Sequence, residues 1–445
     1  MKDIKNIIFI IADTTRAKNV GLYGARPTPT PVLDSLGKRG IVFTNAYTTI
    51  TKSDPSITAI MSGRYPISTG LISHGRWIIK NQERRLKKIP LLAEILQKQG
   101  FKTAAIDYFS RWHTRGFSYV SGKIVKDVDQ NKIAGRNIDF LEYLRLLDSI
   151  LFRIIKRDFF IRFYYSFFPN PIVPYDPADV VIDEAIKVFR SNKNKKNFIY
   201  IHFRDPHSPY IRPKGLRSFL FDSNEVRYDA EIHYMDQEIG RLLKHLKVSG
   251  ELDKTLFVLT ADHGESLSEH NIYIAHHDPY EVVVKIPIIL YYAKYRPGKI
   301  GAFVQNIDIF PTILELLGID QLKGTDGMSL VPLISRSTKK GRDFVFFDDN
   351  LFGEYLIRKS RRKLGIRFKN YKYIKTLVGR DEDLFAPIPA NTRVVKEELY
   401  DLRSDPEELN DLSHRKRDIM DQLDGMLQAQ IDTLDFAARN IKKSG

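Results

Sequence analysis

The stretch Thr255-Leu256-Phe257-Val258-Leu259-Thr260-Ala261 is apolar or β-branched almost throughout and runs into Asp262-His263-Gly264-Glu265. Such a run reads as a buried strand. A buried strand that carries an adjacent Asp and His at its carboxyl end sets two metal-ligand side chains where open α/β sheets bind their ligands. The start of the chain repeats the device, because Ile7 to Ala12 is apolar and ends in Asp13. Two strands that bring carboxylates to one sheet edge point to a metal-assisted enzyme.

The rest of the chain alternates strand and helix patterns. Strands are expected at 7–12, 41–47, 102–106, 197–203, 256–261 and 285–292, and helices at 30–39, 91–99, 180–190, 228–247 and 309–317. Strands separated by helices imply parallel pairing with helices on both faces. After about residue 340 the pattern changes to short strand candidates (344–347, 355–357, 364–368, 371–376) and a last helix near 415–437. The expected fold class is therefore α/β. A large, mostly parallel sheet is sandwiched by helices in residues 1–340, and a small C-terminal antiparallel α+β subdomain fills 341–445. Residues 141–174, dense in Leu, Ile, Phe and Tyr between Arg and Lys, stand apart. They read as an insertion folded over the core or active site, or as a basic amphipathic helix making peripheral membrane contact.

With 445 residues and 43% hydrophobic content, the chain can bury a sizeable core. The 70 basic against 54 acidic residues leave a net charge of +16, which attracts anions, small anionic esters included. No helix-turn-helix, zinc-finger or RNP-type signature accompanies that charge, so nucleic acid is not the expected partner. The absence of cysteine excludes disulfides, thiolate metal sites and a cysteine nucleophile. Met1 to Asn6 leads directly into the first strand without a leader-like pattern, which gives a cytoplasmic expectation.

The nucleophile candidate is Ser53. Asp54 and Pro55 signal a helix start, and Ile57, Ile60 and Met61 give that helix a buried face. Ser53 then sits just before a helix N-terminus, where backbone N–H groups favour an anion. Taken alone it is equally a helix-start serine.

Several strings together resemble the sulfatase family of the alkaline phosphatase superfamily: 6–16 ending in Asp13-Thr14-Thr15-Arg16, then Thr30-Pro31 to Leu36, Phe43 to Tyr47, Ser53 to Pro66, Asp205 to Tyr210, Asp262 to Glu265, and Glu398 to Leu402 followed by Asp405-Pro406. The resemblance implies a sulfuric ester hydrolase in which Asp13, Asp262 and His263 bind one divalent cation (Ca, Mg, Mn or Zn) with Ser53 facing it. It implies that His207 contacts the ester oxygens or protonates the leaving group, and that His276 is a substrate-side catalytic histidine. His277 is the neighbouring choice, and His270 is a bystander. Arg111 and His113 of Arg111-Trp112-His113 are similar to a segment that holds the anionic group, although a surface loop reads as well.

Two positions depart from the family pattern. Thr14 stands where many sulfatases carry a second carboxylate, and Ile57 stands where the formylglycine pattern has Arg. A formylglycine hydrate expels sulfate through its second hydroxyl, whereas an unmodified serine is better served by phosphoryl chemistry, in which water attacks the covalent intermediate in line. The expected function is hydrolysis of sulfate esters by Ser53 or the formylglycine made from it, on a sulfated or phosphorylated glycan, lipid or aryl ester. A phosphodiesterase, phosphonate hydrolase or phospho-group transferase using unmodified Ser53 is the alternative. A non-catalytic protein that binds anions or membranes is a third reading.

Overall fold

Asn6–Ala12 is buried over its whole length and feeds two cores at once, because successive side chains of a strand point to opposite faces. Ile8, Ile10 and Ala12 enter one cluster, and Ile7, Phe9 and Ile11 enter the other. A strand apolar on both faces must lie inside a sheet covered on both sides. The computed structural model, which describes residues 3–74, 80–107, 112–121, 176–208, 210, 223–351, 360–384, 386 and 388–443, places it at the centre of an eight-stranded sheet.

In chain order the strands are β1 (Asn6–Ala12), β2 (Ile41–Tyr47), β3 (Lys102–Ile106), β4 (Tyr119–Ser121), β5 (Asn197–Phe203), β6 (Thr255–Thr260), β7 (Ile288–Tyr291) and β8 (Gly298–Gln305). Their order across the sheet is β4-β3-β5-β1-β6-β7-β2-β8. On one face lie helices Ala178–Ser191 and Asn224–Val248. The second buries Tyr228, Ile232, Met235, Ile239, Leu242 and Leu246 at alternating spacings of four and three. On the other face lie Ser53–Ser62, Leu92–Lys98 and Ile309–Leu316.

The mostly parallel sheet carries one exception to the expected pairing. β7 runs antiparallel to both its neighbours, β6 and β2. The chain between β6 and β7 contains one short turn of α-helix, Glu281–Val284, and no helix that carries it back across the sheet. It loops over the carboxyl edge, bridges to β2 through Lys285 and Tyr47, and starts β7 from that edge, so β7 must run the other way.

A second sheet, all antiparallel, has the order β12-β11-β10-β9, with β9 (Phe344–Leu351), β10 (Arg361–Phe368), β11 (Tyr371–Val378) and β12 (Arg393–Asp401). Helix Arg417–Lys443 packs on it through Met420, Leu423, Leu427, Ile431 and Leu434. Ala59, Tyr65 and Ile67 of the first body share that cluster, which fixes the small sheet against helix Ser53–Ser62 and the segment that follows it. The strand expected at 355–357 and the aromatic, basic segment 141–174 lie outside the described residues. Among the described residues no helix is long and apolar enough to cross a membrane.

The second sheet encloses the Arg362–Asp348 ion pair completely. Arg362 donates to Asp348 from Nε at 2.9 Å and from Nη2 at 2.7 Å, and its Nη1 donates to the carbonyls of Leu384 and Ala386. Removing one partner of such a pair strands the other charge in the core. Arg362→Ala should therefore lose about 3–5 kcal/mol in urea unfolding, and the double change Arg362→Met with Asp348→Leu should lose less.

Candidate active site

Four neighbouring parallel strands end at one edge, and each contributes an ionisable residue there. Asp107 follows β3, His202 is the penultimate residue of β5, Asp13 follows β1, and Asp262-His263 follow β6. The register is tight, with Ala12 opposite Phe203 and Ile11 opposite Thr260. One oxygen or nitrogen each from Asp13, Asp262 and His263 come within 4.8 Å of one another, and all three residues are buried.

The donor set suits a cation. Asp262 Oδ1 accepts the backbone N–H groups of Thr14 at 3.0 Å and His263 at 2.9 Å, while Oδ2 has no hydrogen-bond partner and lies 3.3 Å from His263 Nε2. His263 Nδ1 is 2.8 Å from the carbonyl of Gly264, so the proton belongs on Nδ1 and the lone pair on Nε2. Burial first, and then the Asp13 charge, push the Asp262 carboxyl up from its ordinary value. Two carboxylates crowded in a dry site favour a positive guest.

Ser53 meets this cluster directly, with its Oγ 3.2 Å from His263 Nε2. It is the first residue of helix Ser53–Ser62, one position later than the expected placement just before the helix. The helix is locked to β6 through a single acceptor. The carbonyl oxygen of Asp262 receives the hydroxyls of Thr48 at 2.6 Å and Ser56 at 2.7 Å, and Asn306 Nδ2 donates to both hydroxyl oxygens. On the other side, β9 extends the segment that leads into the helix: Thr51 N–H donates to the Asp348 carbonyl and Asp348 N–H to that of Thr49.

Thr14 supplies no carboxylate. Its hydroxyl donates to the carbonyl of Pro206 at 2.9 Å. Its φ of 54° is left-handed, an unfavourable region for a β-branched residue. Bonds from its N–H to Asp262 and from Tyr228 to its carbonyl hold it there. Ile57, on helix Ser53–Ser62, is fully buried in the core, so no cation stands at that position.

The imidazoles gather on one side of this cluster. The His276 ring lies 4.4 Å from that of His263, and His207 lies 6.1 Å from His276. Burial, and then Arg204, push His207 down to about 3, and burial with His263 holds His276 well below its ordinary value, so both are neutral near pH 7. His207 Nδ1 lies 2.7 Å from the Ser208 carbonyl, which leaves Nε2 to exchange protons. His276 is backed by Glu265 at 3.5 Å, whose carboxyl burial raises to about 8 and whose other oxygen accepts from Tyr210. His270 stacks on Tyr280 at 3.7 Å. His113 is fully buried with its Nε2 2.8 Å from Asp107 Oδ2, and Trp112 donates to Thr58 of the nucleophile helix. Arg111 lies outside the described residues.

Sequence reasoning missed Lys52, His202 and its partner Asp107 beside the site. Lys52, next to Ser53, is nearly buried, with Nζ 3.1 Å from His277 Nδ1 and 3.5 Å from Asp349 of β9. A lysine immediately before the nucleophile candidate Ser53 was the available signal. His202 sits between Asp107 and Asp13. Burial opposes its charge, but those two carboxylates raise it to about 10. A histidine inside an otherwise apolar strand was the signal there.

Oxygen and imidazole donors at the carboxyl edge of a covered, mostly parallel sheet, with a serine hydroxyl facing them, form the architecture of the alkaline phosphatase superfamily of hydrolases. Within it, this chain belongs to the sulfatase family of sulfuric ester hydrolases, whose sequence profile matches residues 5–319; a second profile, N-sulphoglucosamine sulphohydrolase, C-terminal, matches 269–435. An N-acetylglucosamine-6-O-sulfatase of Bacteroides thetaiotaomicron is 25% identical, with 92% of this chain and 82% of the relative aligned. An arylsulfatase of Clostridium perfringens is 23% identical over 92% of this chain and 90% of its own. The fold is shared with a protein solved in complex with its substrate D-glucosamine-2-N,6-O-disulfate (TM-score 0.68, 19% identity, 98% of both chains). It is also shared with a phosphonate monoester hydrolase of Silicibacter pomeroyi (TM-score 0.67, 18% identity, 97% and 96% covered).

Gly264 sets how closely the site loop can approach. A Cβ there would meet the carbonyl oxygen of Val282 at 2.2 Å and Arg16 Cγ at 3.2 Å. Gly264→Ala should lower stability by about 1–3 kcal/mol through overpacking, read by thermal unfolding. A variant as stable as the parent would show that the strand end yields freely.

Proposed function

We propose that this protein is a cation-dependent hydrolase of sulfate esters carried on a glycan, with Ser53 as nucleophile. The single observation that carries this is the Ser53 hydroxyl 3.2 Å from His263 Nε2, beside the Asp13–Asp262–His263 cluster. The glycan follows from the relatives, among them an N-acetylglucosamine-6-O-sulfatase and ulvan-active sulfatases. Asp13, Asp262 and His263 would hold the ion. Bound there, a divalent cation supplies Lewis-acid stabilisation of negative oxygens.

In the reaction Ser53 Oγ attacks sulfur in line with the leaving oxygen. The Oγ–S bond forms, the S–O bond to the sugar breaks, and the alcohol departs with a proton. His207 and His276 are the proton carriers. Both are neutral in the resting protein, and an anionic ester beside them favours their protonated form. Lys52, held by Asp349 and His277, supplies positive charge next to Ser53. On unmodified Ser53, water then attacks sulfur, the Oγ–S bond breaks and a proton returns to Oγ; on a formylglycine hydrate at this position, the second hydroxyl gives up its proton, the C–O bond to sulfate breaks and the aldehyde re-forms.

A second reading, phosphate or phosphonate ester cleavage by unmodified Ser53, is favoured by one feature: the buried Ile57 where the formylglycine pattern has Arg. The fold shared with a phosphonate monoester hydrolase is compatible with it.

One measurement tests the cation site that both readings share, and a second identifies the central atom. Mn²⁺ or Ca²⁺ at a hundredfold excess over its Kd should stabilise the protein by about 2.7 kcal/mol; EDTA should reverse this, and Asp262→Ala should abolish both the shift and turnover. Paired assays with an aryl sulfate, glucosamine 6-sulfate and an aryl phosphonate, together with the mass of the Lys52–Arg64 peptide, identify the central atom. Sulfate release with a peptide lighter by two hydrogens supports formylglycine chemistry, and phosphonate turnover with unmodified Ser53 supports the second reading. No turnover of any ester, with heparin binding that survives EDTA, would overturn both.

A further inference from the structure

The buried side chains behind Asp13 form a connected set that the proposed reaction does not use. His202 lies on β5, between β3 and β1 in the sheet, and is opposite Ile11 in the register. Its ring therefore has a carboxylate on each side. Nδ1 is 2.8 Å from Asp107 Oδ1, and Nε2 is 3.7 Å from Asp13 Oδ2, an ion-pair rather than a hydrogen-bond distance. The other oxygen of Asp107 lies 2.8 Å from His113 Nε2. Asp13, Asp107, His113 and His202 are all at most 2% exposed. Buried charge of this density is costly unless each member is held by a partner.

The chain has a direction. The turn that carries His113 is tied to the nucleophile helix by the Trp112–Thr58 bond. Asp107 is gripped by two imidazoles and cannot turn without losing one. With Nδ1 committed to Asp107, His202 can present only Nε2 to Asp13. Asp13 in turn lies in the cluster whose donor atoms approach within 4.8 Å.

We propose that His113, Asp107 and His202 are positioning residues that fix the carboxylate of Asp13 for a divalent cation, and so set the cation affinity of the site. The proposal rests on the cation-binding reading above. Partners that orient a ligating group typically change metal affinity by 10–100-fold when removed.

The test is calorimetric titration of the full-length protein with Mn²⁺ and with Ca²⁺, without substrate. Asp107→Asn keeps the shape of the acceptor and removes its charge. His202→Asn keeps an N–H near the Nδ1 position but does not reach Asp13, and His202→Gln reaches toward Asp13 but loses the bond to Asp107. Each should weaken the ion about 10–100-fold, and His113→Gln, which still offers a donor to Asp107, should weaken it least. A purely structural role would lower the melting temperature of the ion-free protein and leave the affinity of the folded fraction within about twofold. That result in Asp107→Asn and His202→Asn would overturn the proposal. Should one of these variants not fold, His202→Gln gives the same comparison. Failure of the parent itself to bind either ion would instead overturn the cation-site reading, so the two failures are distinguishable.

Discussion

The carbonyl oxygen of Asp262 is where the helix that begins with Ser53 and the strand that leads to Asp262 and His263 are joined. Two hydroxyls, from Thr48 and Ser56, donate to it, and Asn306 steadies both. A carbonyl oxygen has two lone pairs, so this acceptor is saturated. The strand that carries Asp262 and His263 and the helix that begins with Ser53 therefore cannot slide past each other without losing buried hydrogen bonds. Side-chain precision at Ser53 and His263 is inherited from that backbone junction.

The same economy appears at Thr14. A β-branched residue in the left-handed region stores strain of about 1–3 kcal/mol. Three bonds, to Asp262, to Pro206 and from Tyr228, hold the turn in that state. The turn aims Asp13 into the cluster and gives Asp262 one of its two backbone donors. Strain, register and hydrogen bonding thus converge on a single carboxylate pair.

The elements most legible in the chain are those buried on two faces or on one clean stripe. β1 and β6 are continuous apolar runs, and helix Asn224–Val248 carries an unbroken four-three spacing. β8 escaped notice because it is an edge strand, half-exposed and interrupted by Gly298, Lys299 and Gly301. β12 escaped because its first four residues are exposed. The direction of β7 depends on how the preceding loop returns, which no local pattern encodes. Within the site, Asp13, Ser53, Asp262 and His263 were legible because each follows or begins a regular element. His202, Asp107 and Lys52 were not, because their significance lies in contacts between strands far apart in sequence.

Asp349 belongs to the small antiparallel sheet, yet its carboxylate reaches Lys52, the residue just before Ser53, and accepts from Thr51. The field around Ser53 is therefore partly written by a body that carries none of the proposed ion ligands. The two sheets therefore act on one site: the small sheet is part of the surroundings of Ser53 and not an appendage to the large one.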